Sequence, residues 1–353
     1  MITYSLIRGV EMATIKDVAK RSGVSVATVS RVLNNTAPVN YKTKETIMKA
    51  IEELNYKPNI IAQGMRTKKS KTIGITIPDY INPFYYELFK YIEDAAKKEG
   101  YHVIVSSTGE DINEDINCID DLINRNIDGL IICTYRGDKE TIKYLLELSK
   151  KIPIIFMDNL QLDKPVNSVY TDGYKGMKEI TKHLISLGHK NIGFVKSIAK
   201  YKVANDRFYG YKDALIEAGI EFRDELVYEG NYHIQSGYEA AKYFFTDKKL
   251  NPSAIVSSTD LMAIGAMNYI KTIGLRIPED VAIAGFDDIY MSRLISPPLT
   301  TYRQPIEEIA KEAINLFINK VNHPNAKNRT IVLNGEMVIR RSTDILRNEI
   351  ERI

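Results

Sequence analysis

Basic side chains crowd the front of this 353-residue chain in a way that suits a polyanionic partner. Residues 12–71 hold 12 Lys and Arg against 4 Asp and Glu, a net charge of +8, whereas residues 72–353 hold 35 against 40. The whole-chain value of +3 hides this asymmetry, which is the electrostatic footprint of a nucleic-acid module joined to an ordinary soluble domain. Further along, polar residues stand just past short apolar runs. Asp158 follows Ile-Ile-Phe-Met, Thr259 and Asp260 follow Ala-Ile-Val-Ser-Ser, and Asp287 follows Ala-Ile-Ala-Gly-Phe. Arg207 lies in Asn-Asp-Arg-Phe-Tyr-Gly-Tyr, at the start of a helical pattern. One arginine, two carboxylates and several rings suit a neutral polyol: the charged groups pair with vicinal hydroxyls, and rings cover C–H faces.

The elements that would position the basic segment can be read locally. Thr14 with Asp17 three residues on is a capping-box start, and Ile15, Val18 and Ala19 then recur at helical spacing. Gly23 supplies a turn that needs positive φ, and Ser25 is a second N-cap. Val29, Val32 and Leu33 face inward from the helix it opens. A third helix from about Asn40 carries Ile47, Ala50, Ile51 and Leu54 on one face. Two short helices joined at a glycine, the second beginning with small polar residues, describe a helix-turn-helix reader of the major groove.

From Lys71 onward the pattern becomes α/β. Strands are expected at Thr72–Ile77, His102–Ser106, Gly129–Thr134, Ile154–Met157, Asn191–Lys196, Leu226–Glu229, Ala254–Ser257 and Val281–Gly285. Between the first two, Phe84, Leu88, Tyr91, Ile92 and Ala95 mark a helical face. Such βα repetition implies parallel sheets covered on both faces, in one or two doubly wound domains. Ligands of open α/β sheets sit at the carboxyl ends of the strands, where Asp158, Thr259 and Asp287 fall.

Several classes of function find no support. The sequence has no phosphate-binding Gly-rich loop, no dinucleotide fingerprint and no nucleophile elbow, so no catalytic residues are expected. Cys118 and Cys133 lack metal-ligand spacing and no His cluster exists, so neither metal nor cofactor is expected. With no run of 18 apolar residues and no signal peptide, a reduced, cytoplasmic protein without membrane contact is expected. Residues 1–11 read as a disordered extension.

The residues resemble one family, transcriptional regulators of the lactose-repressor (LacI/GalR) type. The resemblance rests on Gly-Val-Ser-x-x-Thr-Val-Ser-Arg-Val-Leu-Asn at 23–34 and Glu-Leu-Asn-Tyr-Lys-Pro-Asn at 53–59. It continues through Thr-Ile-Gly-Ile at 72–75, Asn-Pro-Phe at 82–84, Leu-Gly-His at 187–189, Gly-Phe-Asp-Asp at 285–288 and Val-Ile-Arg-Arg-Ser-Thr at 338–343. It implies an all-α helix-turn-helix headpiece (12–57), a hinge helix (58–70), and a core (71–345) of two doubly wound parallel-sheet subdomains akin to periplasmic sugar-binding proteins. The first subdomain would span 71–170 and 302–332, the second 171–301 and 333–345, with crossings near Tyr170, Tyr302 and Leu333 and a tail at 346–353.

The resemblance also implies roles. Val26, Ala27 and Arg31 would meet base edges; two small apolar residues suit thymine methyls, and Arg31 on guanine would be the main polar readout. Thr14, Ser25, Thr28, Ser30, Asn34 and Thr43 would contact phosphates, with helix capping the alternative for each hydroxyl. In the hinge, Asn59, Ala62, Gln63, Met65 and Arg66 would enter the minor groove. Met65 stands where leucine is usual, and Gly64 lowers helix propensity by about 1 kcal/mol against Ala. Arg207, Asp158 and Asp287 take the effector positions, with Tyr232, Asn82, Phe84, Tyr85 and Ile306 as walls. Thr259 and Leu261 replace amides found in some relatives. The alternative for Asp158 and Asp287 is helix capping. His189 is read as a structural turn residue.

The implied mechanism is a homodimer on pseudo-palindromic double-stranded operator DNA, controlled by a small sugar-like effector. The alternative is a catabolite-control regulator answering to a phosphorylated carrier protein or a purine-like corepressor. Ile345, Leu346, Ile350 and Ile353 are too few for a tetramerising coiled coil.

Overall fold

The computed structural model describes residues 13–34, 37–57, 69–78, 80–108, 112–133, 139–158, 162, 165–198 and 202–344; for 34, 112–114, 139, 202 and 203 it describes the helix but not the side chain. The expected hinge contacts at Asn59, Ala62, Gln63, Met65 and Arg66 lie outside the described residues, as do the extension and the tail. The chain divides into two compact units, parting after Ser70.

Among its described residues the first unit has three helices, α1 (Ile15–Ser22), α2 (Val26–Asn34) and α3 (Tyr41–Glu53). The capping box forms: the Thr14 N–H donates to Asp17 at 2.8 Å, and the Asp17 N–H donates back to the Thr14 hydroxyl. Gly23 ends α1 at φ 68°, a left-handed turn in which any side chain would be strained although space is free. Val18, Ala19, Val29, Ile47 and Ala50 form the buried centre, with Val32, Leu33, Ile51 and Leu54 packed around it. A two-nitrogen pair from Arg21 to Glu53, at 2.6 and 2.7 Å, ties α1 to α3 at the surface.

The second unit holds two six-stranded sheets. The first uses β1 (Thr72–Ile77), β2 (His102–Ser107), β3 (Gly129–Ile132), β4 (Ile154–Phe156), β5 (Ser168–Thr171) and β11 (Thr330–Leu333). Its order is β2-β1-β3-β4-β5-β11, all parallel. The second uses β6 (Ile192–Lys196), β7 (Val227–Glu229), β8 (Ala254–Ser257), β9 (Ala282–Asp287), β10 (Thr300–Arg303) and β12 (Glu336–Val338). Its order, β7-β6-β8-β9-β10-β12, repeats the first, with β12 antiparallel. In both, the strand order reverses at the first strand (β1 and β6), so each sheet has its crevice at that strand's carboxyl end.

Helices cover both sheets. α4 (Pro83–Lys98) and α12 (Ile306–Asn322) bury Leu88, Ile92, Ile309, Ile314 and Phe317 against Ile73, Ile75, Ile131 and Ile155. On the second sheet, α7 (Gly173–Ser186) and α8 (Lys202–Glu217) lie on one face, and α9 (Ile234–Lys242) and α10 (Asp260–Thr272) on the other. The chain leaves the first sheet after Thr171, returns after Arg303 and leaves again after Leu333. Tyr302 itself pairs with Phe286 and Met337 inside the second sheet, so the middle crossing follows it.

Candidate functional site

On the first unit, α2 presents Ala27 and Arg31, four residues apart and both exposed, on one face. Val26 at the helix start is 41% exposed. Ser25 caps this helix, taking the Thr28 N–H on its hydroxyl at 3.2 Å and contacting the Thr28 hydroxyl at 2.9 Å. Thr14 and Ser25 are therefore caps that remain exposed, and Thr43 is half-buried in the first turn of α3. Ser30 is only 6% exposed, beside Val29 and one turn before Leu33, so it lies on the inward side of α2. The side chain of Asn34 lies outside the described residues.

On the second unit, the crevice at the carboxyl edge of β6, β8 and β9 concentrates buried charge. Arg207, in the second turn of α8, is 6% exposed, and its guanidinium lies 3.8 Å from the ring centroid of Phe286. One terminal nitrogen donates to the Ser258 carbonyl; the other stands 3.7 Å from the Asp287 carboxylate. Its Nε is buried and has no hydrogen-bond partner. Nearby, the hydroxyls of Ser197, just past β6, and Ser257, at the end of β8, are also buried and unpartnered. Buried polar atoms are nearly always satisfied by protein, water or ligand, so these three are available to hydrogen-bond a group in the crevice.

Asp287 ends β9 at φ 127°, and the Gln304 side chain donates to it at 2.7 Å. Burial raises its pKa, Arg207 opposes the rise, and the charge of Asp260 adds to it. Asp260 is the scaffold of this corner. It accepts the Ile289 N–H at 3.0 Å and the hydroxyls of Ser292 and Thr301, both at 2.6 Å. Its pKa too is raised, chiefly by burial. Gly285 permits the close approach, because a Cβ there would stand 2.2 Å from an Asp260 oxygen. Asp288 turns the other way, at φ 57°, to the Arg303 Nε at 2.6 Å and Arg340 at 2.7 Å.

The other expected residues divide. Thr259 is buried and serves as the N-cap of α10, accepting the Met262 N–H at 3.4 Å. Tyr232 is half-buried in a left-handed conformation just before α9. Asn82 is buried as the N-cap of α4, accepting the Phe84 N–H at 3.1 Å. Phe84 meets Tyr85 edge-on at 5.3 Å and packs against the cores of both sheets. Ile306 opens α12 and is buried in the first core. Asp158 is half-buried two residues past β4 and, with Asp206, adds to a rise in the Tyr170 pKa that burial dominates. His189 contacts the Ser253 hydroxyl at 3.0 Å, and burial lowers its pKa.

Gln304, Phe286, Ser197, Ser257 and Asp288 belong to this corner, and none was singled out for it beforehand. Gln304 and Ser197 each stand just past a strand, the signal that identified Asp158. Among the described residues, no group of three His, Cys, Asp or Glu could hold a metal ion, and no helix is long and apolar enough to cross a membrane. Burial pushes the Cys133 thiol up to about 12, so it is not a thiolate nucleophile at neutral pH.

Comparison with known proteins fits both units. The pattern of bacterial regulatory proteins of the lacI family matches residues 14–59. That of periplasmic binding proteins and the sugar binding domain of the LacI family matches residues 70–340. This chain belongs to the LacI family, as a transcriptional regulator with a DNA-binding unit and an effector-binding domain. It is 34% identical over 335 residues to the ribose operon repressor of Haemophilus influenzae, covering 94% of this chain and 98% of that one. It is 33% identical over 333 residues to the HTH-type transcriptional repressor PurR of Mannheimia succiniciproducens, with the same coverage of each chain. A Lac repressor dimer bound to operator and the anti-inducer ONPF superposes with a TM-score of 0.85 at 28% identity, covering 94% of this chain and 99% of that one. These relatives are transcription regulators rather than enzymes.

Proposed function

We propose that this protein is a cytoplasmic repressor of carbohydrate-use genes. It binds a pseudo-palindromic operator as a homodimer, and a small sugar-like effector held between its two sheets controls that binding. The headpiece spans 12–57, the hinge 58–70, and the effector core two subdomains crossed three times by the chain. Arg31, with Val26 and Ala27, reads base edges in the major groove; Thr14, Ser25, Thr28 and Thr43 position the headpiece on phosphates. Effector coupling of about 1–3 kcal/mol changes operator affinity roughly 5–150-fold.

The observation that carries the effector reading is the unpartnered Nε of buried Arg207, held over Phe286 and beside Asp287. A guanidinium opposite a carboxylate, flanked by buried serine hydroxyls, offers donors and acceptors to a neutral polyhydroxyl compound without excess positive charge for a phosphate. A purine-like corepressor is the second reading, favoured by the 33% identity to PurR.

A thermal-shift screen of pentoses, hexoses, disaccharides, sugar phosphates and purines on the full chain tests it. A neutral sugar is expected to raise the melting temperature and change the shift of an operator duplex. A purine doing so instead supports the second reading, and a cleft that answers to no small molecule favours a carrier protein. For the headpiece, Arg31→Ala is expected to relax base preference; Lys44→Ala, which removes an exposed cation in the first turn of α3, is expected to leave it intact. Equal losses on all sequences would remove Arg31 from base readout.

A further inference from the structure

One helix of the first half reaches the second. α4 begins at the Asn82 cap, and its first turns carry Phe84 and, three residues on, Glu87, on one side of the helix. Phe84 packs against the apolar cores of both sheets. Glu87 accepts the backbone N–H of Tyr290 at 3.0 Å, although 203 positions separate the two residues. Tyr290 opens the short helix α11 (Tyr290–Leu294), three residues past Asp287. Arg293 on that helix attracts Glu87 and also lies 3.8 Å from Asp288. The pocket corner at 287–288 and the first-half helix are thus joined through one carboxylate.

We propose that Glu87 is the positioning residue for closure of the cleft: by holding the Tyr290 amide, it fixes the Asp287–Asp288 corner against the Phe84 face of α4. The proposal rests on the reading of this cleft as the effector site. Its geometry is selective. The acceptor is a side chain that substitution can remove, and the donor is a backbone amide that no substitution at Glu87 alters. Glutamine keeps a carbonyl oxygen at the same reach, whereas alanine keeps none. Half-buried Glu87 has a raised pKa, chiefly through burial; the Tyr290 N–H and Arg293 oppose the rise, and the charge of Asp288 adds to it. Tyr290 and Arg293 are the groups of the second half that favour its carboxylate form.

Hydrogen exchange on the full chain reads the contact directly, and a single Phe84→Trp reporter reads closure, since the sequence contains no tryptophan. In the Glu87→Ala variant the Tyr290 amide is expected to exchange about tenfold faster, the loss of one charge-assisted hydrogen bond. The reporter emission is expected to move to longer wavelength as its site takes up water. Glu87→Gln is expected to restore most of both signals. Unchanged exchange at Tyr290 overturns the contact. Faster exchange with an unmoved reporter, or no restoration by glutamine, overturns the positioning role. If the wild-type chain answered to no compound in the ligand screen, the effector reading would fall while these signals still decided whether Glu87 holds the two halves together.

Discussion

The two sheets share one strand order and differ in what they place at the equivalent edge. At the carboxyl ends of the second sheet stand buried Arg207, Asp260, Asp287 and Asp288, cross-linked by hydrogen bonds and ion pairs. Among the described residues, the corresponding edge of the first sheet offers a capped helix, two rings and half-buried Asp158. Buried charge is tolerable only where partners are fixed in advance, so the second half is the preformed side of the cleft. Rings can shift by small rotations without leaving a charge unpaired, so under the proposed function the first half is the side suited to closing, with Glu87 tying it to the second.

The largest expected effect of this contrast is on stability. Asp260→Ala strands three buried donors and is expected to cost about 3–5 kcal/mol, read as a lower urea midpoint. A loss below about 1 kcal/mol would mean that the second edge is no more rigid than the first. Arg207→Ala is expected to weaken ligand binding by about 2–4 kcal/mol while sparing operator affinity, because a charged donor is lost from a desolvated site. Titration calorimetry with whichever sugar shifts melting measures it, and an unaltered affinity would take Arg207 out of the pocket. Asn82→Ala, at the first edge, is expected to cost only about 1 kcal/mol, the value of one N-cap.

A further effect is a pH slope. Burial raises the folded-state pKa of both Asp260 and Asp287. The folded chain therefore keeps protons that the unfolded chain has released. Their contribution to stability is fully present below about pH 4 and is lost as pH rises through the raised values. Asp287→Asn is expected to flatten that fall in a series of denaturation curves taken from pH 4 upward, and an unchanged slope would place the titration elsewhere.

Much of this was legible in the sequence for local reasons. The Thr14–Asp17 capping box and the Gly23 turn are decided within a few residues, and both form as expected. The long apolar strands showed themselves as runs. Ser168–Thr171, Thr300–Arg303, Thr330–Leu333 and Glu336–Val338 did not, because they are only three or four residues long and held by pairing with distant segments. The same distance hid the site's scaffold: Asp260 takes its donors from residues 29 to 41 positions away. The burial of Ser30 is local by contrast, since it follows from helical spacing beside Val29.

The exposed pair between Arg21 and Glu53 bears on how the headpiece answers to ionic strength. A guanidinium already neutralised within the protein displaces no condensed cation from a duplex. Each phosphate contact steepens the log–log salt dependence of affinity by about 0.9, so Arg21 adds nothing to that slope while Glu53 holds it. The headpiece is therefore expected to release fewer counterions than its tally of Lys and Arg implies, giving a flatter salt dependence than that tally alone would set.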